Sequence, residues 1–117
     1  MAVRDFEKRR VGQTDLAVTT LGLGGASLAG IFTAVSPEQA RATVGHALDK
    51  GITYVDTAPQ YGLGRSEHLV GDALRGRRDG IVLSSKVGRL LRPVSPAEQD
   101  KGAWADPLPF NQVYDYS

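Results

Sequence analysis

Between residues 20 and 86 the sequence alternates short leucine-rich or β-branched runs with two helical stretches, and each helical stretch ends at a glycine. The order strand, helix, strand, helix, strand, with short links, restricts the chain to a parallel α/β sheet with right-handed crossovers. The first helix is marked at both ends. Ser36 can cap it, Pro37 suits the first helical position, and Gln39 completes a capping box with Ser36. Ala40, Val44, Ala47 and Leu48 then form one apolar stripe, and Gly51 stands where a left-handed stop is wanted. Residues 52–55 follow as a strand. In the second unit Ser66 is expected to cap, Leu69, Val70, Ala73 and Leu74 make the stripe, and Gly76 ends the helix. Residues 81–85 read as the next strand.

Ahead of this unit, residues 7–11 and 16–19 are short strands joined by Gly12-Gln-Thr-Asp15, which predicts a hairpin. Residues 20–25 read as a buried strand ending in glycines, and 26–35 as a loop. From Pro93 onward four prolines, few aliphatics and no clear period predict a long loop over 93–117. The expectation is one domain over 1–117: hairpin 7–19, βα units 20–92, then that loop.

Several function classes fall away on composition. Fourteen Lys and Arg against 13 Asp and Glu exclude nucleic-acid binding by bulk charge. Six cations against one acid lie in residues 75–92, but no aromatic interleaves with them, so no nucleic-acid partner is expected. The uncharged stretch 16–37 has the length of a membrane span, yet only 12 of its 22 residues are hydrophobic. Asp5 and Glu7 dilute the basic start, so neither a span nor a signal peptide is expected. Zero cysteines remove disulfides and thiolate metal sites and suit a reducing cytoplasm. His46 and His68 have no second ligand at useful spacing, so no metal is expected.

Functional groups of parallel α/β folds gather at the carboxyl ends of strands. Asp56 follows residues 52–55 directly, and Lys86 follows 81–85. Neighbouring strands lie roughly 5 Å apart, close enough for this carboxylate and ammonium to pair, and Tyr61 could fold back over both. A free tyrosine, with a pKa near 10, is a poor proton donor at neutral pH. A nearby ammonium stabilises its phenolate, and an aspartate can keep that ammonium charged and aimed. Such a tyrosine could protonate a carbonyl oxygen as hydride arrives from a cofactor. Each residue also has a plainer use: an aspartate caps a turn, a tyrosine packs, a terminal lysine is solvated.

The surrounding wording narrows this. Gly51-Ile-Thr-Tyr-Val-Asp56-Thr-Ala-Pro-Gln-Tyr61-Gly-Leu-Gly-Arg-Ser66-Glu67-His-Leu-Val-Gly71 resembles the aldo/keto reductase signature. Residues 9–24 look like that family's N-terminal hairpin and first barrel strand, and Ser84-Ser85-Lys86-Val-Gly88 is similar to its third-strand lysine segment. Residues 86–93 and 109–117 look closest to the bacterial branch that oxidises D-threo-aldoses and L-fucose. The resemblance implies an N-terminal portion of a (β/α)8 TIM barrel, incomplete as a barrel, and NAD- or NADP-dependent interconversion of carbonyls and alcohols. It implies that Asp56, Tyr61 and Lys86 are catalytic, with Tyr61 the proton donor, and that Gly25, Ala26 and Asp56 touch the cofactor.

The family's fourth catalytic residue, a histidine after the fourth strand, has no match here. A complete barrel takes about 250 residues, so 117 residues are expected to lack the second half of the barrel as a partner and to be inactive alone. The alternative is a non-catalytic interaction or regulatory fragment of the same fold. A dinucleotide site of the Gly-x-Gly-x-x-Gly type is disfavoured, because Ser27 stands where the third glycine of Gly22-Leu-Gly24-Gly25-Ala-Ser27 belongs. Gly62-Leu-Gly64-Arg-Ser66 reads as a flexible turn. Arg89 and Arg92 could meet a cofactor phosphate or a sugar, and Trp104 and Phe110 could wall a substrate pocket or cover the barrel mouth.

Overall fold

The computed structural model describes residues 5–117; residues 1–4 of the expected domain lie outside the described residues. The first hairpin pairs β1 (Lys8–Arg10) with β2 (Ala17–Thr19) in antiparallel fashion, Lys8 opposite Thr19. Gly12 takes the turn's positive φ of 55°, and Thr14 Oγ1 donates to the Val11 carbonyl at 2.6 Å. The central sheet is parallel, in the order β3 (Leu23–Gly24), β4 (Tyr54–Asp56), β5 (Val82–Ser84). Helix α1 (Pro37–Asp49) links β3 to β4, and α2 (Arg65–Ala73) links β4 to β5. Strand–helix alternation of this kind is the architecture of a βα-barrel segment; the three strands do not close a barrel.

Helix α1 starts as its sequence requires. The Ser36 hydroxyl accepts from the Gln39 amide at 3.1 Å, and Gln39 Oε1 accepts from the Ser36 amide at 3.1 Å. Gly51 follows with a φ of 95°, a value that an L side chain adopts at a cost. The core lies between the helices and the sheet. Val55, at the centre of β4, is fully buried with Ala40 and Val44 of α1 and with Val70 and Leu74 of α2 and its end. Because side chains alternate along a strand, burying Val55 against the helices turns Tyr54 and Asp56 to the opposite face. Arg41–Asp72 joins the exposed sides of α1 and α2, Arg77–Asp49 joins α1 to the turn after α2, and both pairs, at 2.8 Å, contribute little.

Three expectations need correction. Ser66 does not cap α2. Gly62, Leu63 and Gly64 all have positive φ (65°, 53° and 100°), so the chain enters the helix through a left-handed turn with Gly64 as the cap. An extended residue ahead of the helix, which a serine cap needs, never forms there. Ser66 lies inside the helix, fully buried.

Second, 93–117 is not one long loop. Strand β6 (Arg89–Pro93) pairs antiparallel with β7 (Phe110–Tyr114), from Arg89 opposite Tyr114 to Pro93 opposite Phe110. Pro93 closes its strand, where a missing amide does little harm. The intervening chain is tied by side chains: Gln99 Nε2 donates to the Leu108 carbonyl at 2.6 Å, and Asn111 Nδ2 to the Glu98 carbonyl at 2.9 Å. Third, the strand expected over 20–25 shortens to Leu23–Gly24, and the following loop holds a 3-10 turn, Ser27–Ala29. Among the described residues, no helix is long and apolar enough to cross a membrane, and no group of three or more His, Asp and Glu is arranged to hold a metal.

Candidate functional site

The site forms where β4 and β5 end together. Asp56 is the last residue of β4 and stands opposite Ser84, the last residue of β5. Ser84 Oγ donates to Asp56 Oδ1 at 2.6 Å, and Lys86 Nζ donates to Asp56 Oδ2 at 2.9 Å. Lys86 also donates to the Thr57 carbonyl at 2.8 Å, which fixes the ammonium between two acceptors. Since the single Ser84 proton points to the carboxylate, the Tyr54 hydroxyl, 3.2 Å away, is the donor to Ser84 Oγ. The carboxylate is thereby held from both sides, Ser84 (itself oriented by Tyr54) on one oxygen and Lys86 on the other.

Tyr61 arrives from the turn after β4. Its backbone amide donates to the Ala58 carbonyl at 3.2 Å, and its carbonyl accepts from the Ser66 amide at 3.1 Å, so the first turn of α2 holds the residue. The Lys86 ammonium lies 4.8 Å from the centre of the Tyr61 ring. Trp104 supports the ring from the later loop, its centroid 6.1 Å away and its plane tilted by 49°. Asp56, Tyr61 and Lys86 are therefore brought together. Tyr61 and Lys86 line a cleft of about 290 Å³ with Ala58, Pro59, Arg89 and Tyr116.

Burial works against the charge on Asp56, but the hydrogen bonds from Ser84 and Lys86 and the charge of Lys86 outweigh it and hold the carboxyl below the usual aspartate range. Partial burial likewise opposes the Lys86 charge, and its contacts with Asp56 and Tyr61 outweigh that and raise it above the usual lysine value. Both groups are charged at neutral pH.

A second set of contacts braces the backbone beneath. Ser66 Oγ donates to the Gly25 carbonyl at 2.8 Å; with that proton engaged, Thr57 Oγ1 is the donor in its 2.7 Å contact with Ser66 Oγ. The Gly25 amide donates to the Asp56 carbonyl at 2.7 Å. A Cβ on Gly25 would lie 2.5 Å from Ser66 Oγ, which explains the glycine by close approach. The Gly25 amide and one lone pair of its carbonyl are thus engaged within the chain, which leaves this residue no free N–H for a cofactor. Ala26 starts the 3-10 turn, its carbonyl accepting from Ala29 at 3.2 Å.

Other candidates separate. His46 and His68 are exposed on the two helices, apart from the strand-end cluster. Arg89 lines the cleft, whereas Arg92 is exposed. Phe110 belongs to β7 and stays outside the cleft lining. Ser84, Thr57 and Ser66 were missed by sequence reasoning. The available signal for Ser84 was its place at a strand end one register step across from Asp56; nothing local marked Thr57 or Ser66.

A model described as the aldo/keto reductase family matches residues 20–107. Over 126 aligned residues, which take in the whole of this chain and 37% of the relative, the sequence is 44% identical to a pyridoxal 4-dehydrogenase of Microbacterium luteolum. Over 92 residues (78% of this chain, 28% of the relative) it is 46% identical to a D-threo-aldose 1-dehydrogenase of a Pseudomonas species. The chain therefore spans about a third of the length of these curated relatives. Among solved structures, an aldo-keto reductase of Bacillus halodurans in its holo form superposes with a TM-score of 0.67 at 38% identity, covering 86% of this chain and 30% of that one.

Proposed function

This chain belongs to the aldo/keto reductase family, and from that premise we propose that it contributes the proton-transfer groups of an NAD- or NADP-dependent oxidoreductase. The reaction interconverts a carbonyl and an alcohol on an aldose sugar or a small aldehyde, in keeping with the names of the sugar and pyridoxal dehydrogenases it resembles. The observation that carries this reading is the Lys86 ammonium, 2.9 Å from Asp56 and 4.8 Å from the Tyr61 ring centre beside an open cleft. A phenol and an ammonium facing a cleft fit the reacting end of a carbonyl and a nicotinamide. The engaged amide of Gly25 gives the rest of a dinucleotide no N–H donor at that position.

A bound nicotinamide supplies the hydride. The remaining work falls to the side chains. The Tyr61 hydroxyl donates its proton to the carbonyl oxygen, and Lys86 stabilises the phenolate left behind. Asp56 keeps Lys86 charged and in place, while Ser84 and Tyr54 keep Asp56 in place. In the oxidative direction the phenolate takes the proton of the alcohol. The chain contains no histidine after Lys86 to assist the carbonyl oxygen, so we expect no turnover from these 117 residues alone. A lack of cysteine suits action in the cytoplasm.

The test is NAD(P)H oxidation with small aldehydes and aldoses, by this chain and by the reading frame that contains it. In the form that turns over, Tyr61→Phe should lower kcat at least about 100-fold and leave cofactor Kd nearly unchanged. Unaltered turnover would remove the phenol from its role, and robust reduction by the 117 residues alone would overturn the expected inactivity.

A further inference from the structure

The cleft beside Tyr61 contains a second cation that proton transfer does not use. We propose that Arg89 anchors an anionic oxygen group, a carboxylate or phosphate, carried by the substrate at the end away from its reacting oxygen. This deepens the preceding reading and rests on it for the position of the reacting carbonyl.

The charge arrangement is the first support. Lys86 shares the cleft, but Asp56 neutralises it at 2.9 Å. Among the described residues, no carboxylate forms an ion pair with Arg89. Its fixed partners are uncharged: Arg89 Nη1 donates to Gln112 Oε1 at 3.1 Å, and its guanidinium carbon lies 5.0 Å from the Tyr114 ring centre. A guanidinium has five N–H donors in a rigid fork. One is engaged by Gln112, and the positive charge stays uncompensated in a half-buried position, which favours an anionic oxygen group with two acceptor oxygens over water.

The second support is that the anchor is built. Arg89 opens β6 directly opposite Tyr114 of β7, and the Asp115 amide donates to the Gly88 carbonyl at 3.0 Å. The Tyr114 and Tyr116 rings stack with centroids 6.3 Å apart. Tyr116 lies so close over Gly88 that any side chain there would collide with its ring, and Gly88 has a φ of 99°. The ribbon therefore fixes Arg89 on one side of the cleft, with Tyr116 as a neighbouring wall. Tyr61 and Lys86 line the same cleft, so one small molecule can meet both the phenol and the guanidinium. Gly25 and Ala26 do not line it, which favours the substrate over the dinucleotide as the source of the anion.

The experiment compares 4-hydroxybutyrate with 1,4-butanediol, alcohols of the same length that differ in a terminal carboxylate. Trp104 is the only tryptophan, and its place beside Tyr61 lets its fluorescence report binding by this chain. The carboxylate compound should bind at least about tenfold more tightly, and added salt should narrow the gap. Arg89→Met should close the gap, whereas Arg92→Met, outside the cleft, should leave it open. The wild-type salt series stands even if Arg89→Met fails to fold. Equal binding of the two alcohols, binding of neither, or a gap that survives in a folded Arg89→Met would each overturn the proposal. So would an Arg89→Met variant that keeps the gap and loses affinity for NADPH but not NADH, since the anion would then belong to the cofactor. Titration needs no hydride transfer: absent turnover by the reading frame that contains this chain sinks only the preceding reading, and an absent gap beside intact turnover of that longer form sinks only this one.

Discussion

Replacing Gly25 by alanine would place a methyl group 2.5 Å from Ser66 Oγ, 3.1 Å from the Asp56 carbonyl oxygen and 3.2 Å from Thr57 Oγ1. Ordinary contact between such atoms lies near 3.5 Å, so the serine must move by roughly 1 Å or turn to another rotamer. Ser66 is fully buried, and a move of that size breaks its bonds to Gly25 and Thr57. A lost hydrogen bond costs about 1 kcal/mol net and more when a buried partner is left unpaired, so Gly25→Ala should destabilise by about 2–4 kcal/mol. For a chain of this size that lowers Tm by roughly 8–15 °C. The decisive assay is a double-mutant cycle with Ser66→Ala, read by urea unfolding followed by circular dichroism. Ser66→Ala is itself destabilising, but it removes the atom that the new methyl strikes. Gly25→Ala should then cost about 1 kcal/mol in that background, a coupling of about 1–3 kcal/mol. Equal cost in both backgrounds would refute the argument that Ser66 dictates the glycine. The brace supports the site directly, since Gly25 holds the Asp56 carbonyl and Thr57 holds Lys86.

Ser84→Ala should let the Asp56 carboxyl rise toward the ordinary aspartate range, because its 2.6 Å donor is gone; carbon NMR of the carboxyl follows this, and an unmoved titration midpoint removes Ser84 from its positioning role. The folded Asp56 pKa is depressed, so its contribution to stability is full above the unfolded value of about 3.9 and is lost as pH falls through the lower folded value. Because Asp56 and Lys86 are 37% and 48% exposed, screening keeps that contribution below about 1 kcal/mol. Asp56→Asn should thus be less stable than wild type at neutral pH, with the gap in urea midpoints closing in strong acid; a gap independent of pH would contradict the linkage. Lys86, with a raised pKa, contributes below its unfolded value of about 10.4 and loses that contribution as pH climbs through the folded value.

Much of the βα frame was readable from local pattern. Ser36, Pro37 and Gln39 specify a helix start within four residues, and Gly51 its end, because caps and left-handed stops depend on neighbours in the chain. Asp56 and Lys86 could be placed near strand ends for the same reason, although Asp56 is the last residue of β4 rather than the one after it and Lys86 lies two residues beyond β5; their pairing follows once adjacent strands are parallel. Ser66 was misread because its surroundings satisfied a local cap rule, while a buried contact with Gly25, 41 residues earlier, decided its role. Strand β7 was hidden because Phe110–Tyr114 carries Asn111 and Gln112 in place of clear apolar alternation; its partner lies about twenty residues back, and the ladder itself supplies the stability.

The sequence by itself determined the two helical stretches, the glycines that follow them and the placing of Asp56 and Lys86 at or just past the ends of successive strands, since each depends on backbone preferences spanning a few residues. Only the tertiary structure decided the register that sets Ser84 against Asp56, the approach that turns Ser66 inward, and the ribbon that brings Arg89 to the cleft. Those outcomes depend on distances between segments some 20 to 40 residues apart, which packing fixes and local preference does not encode.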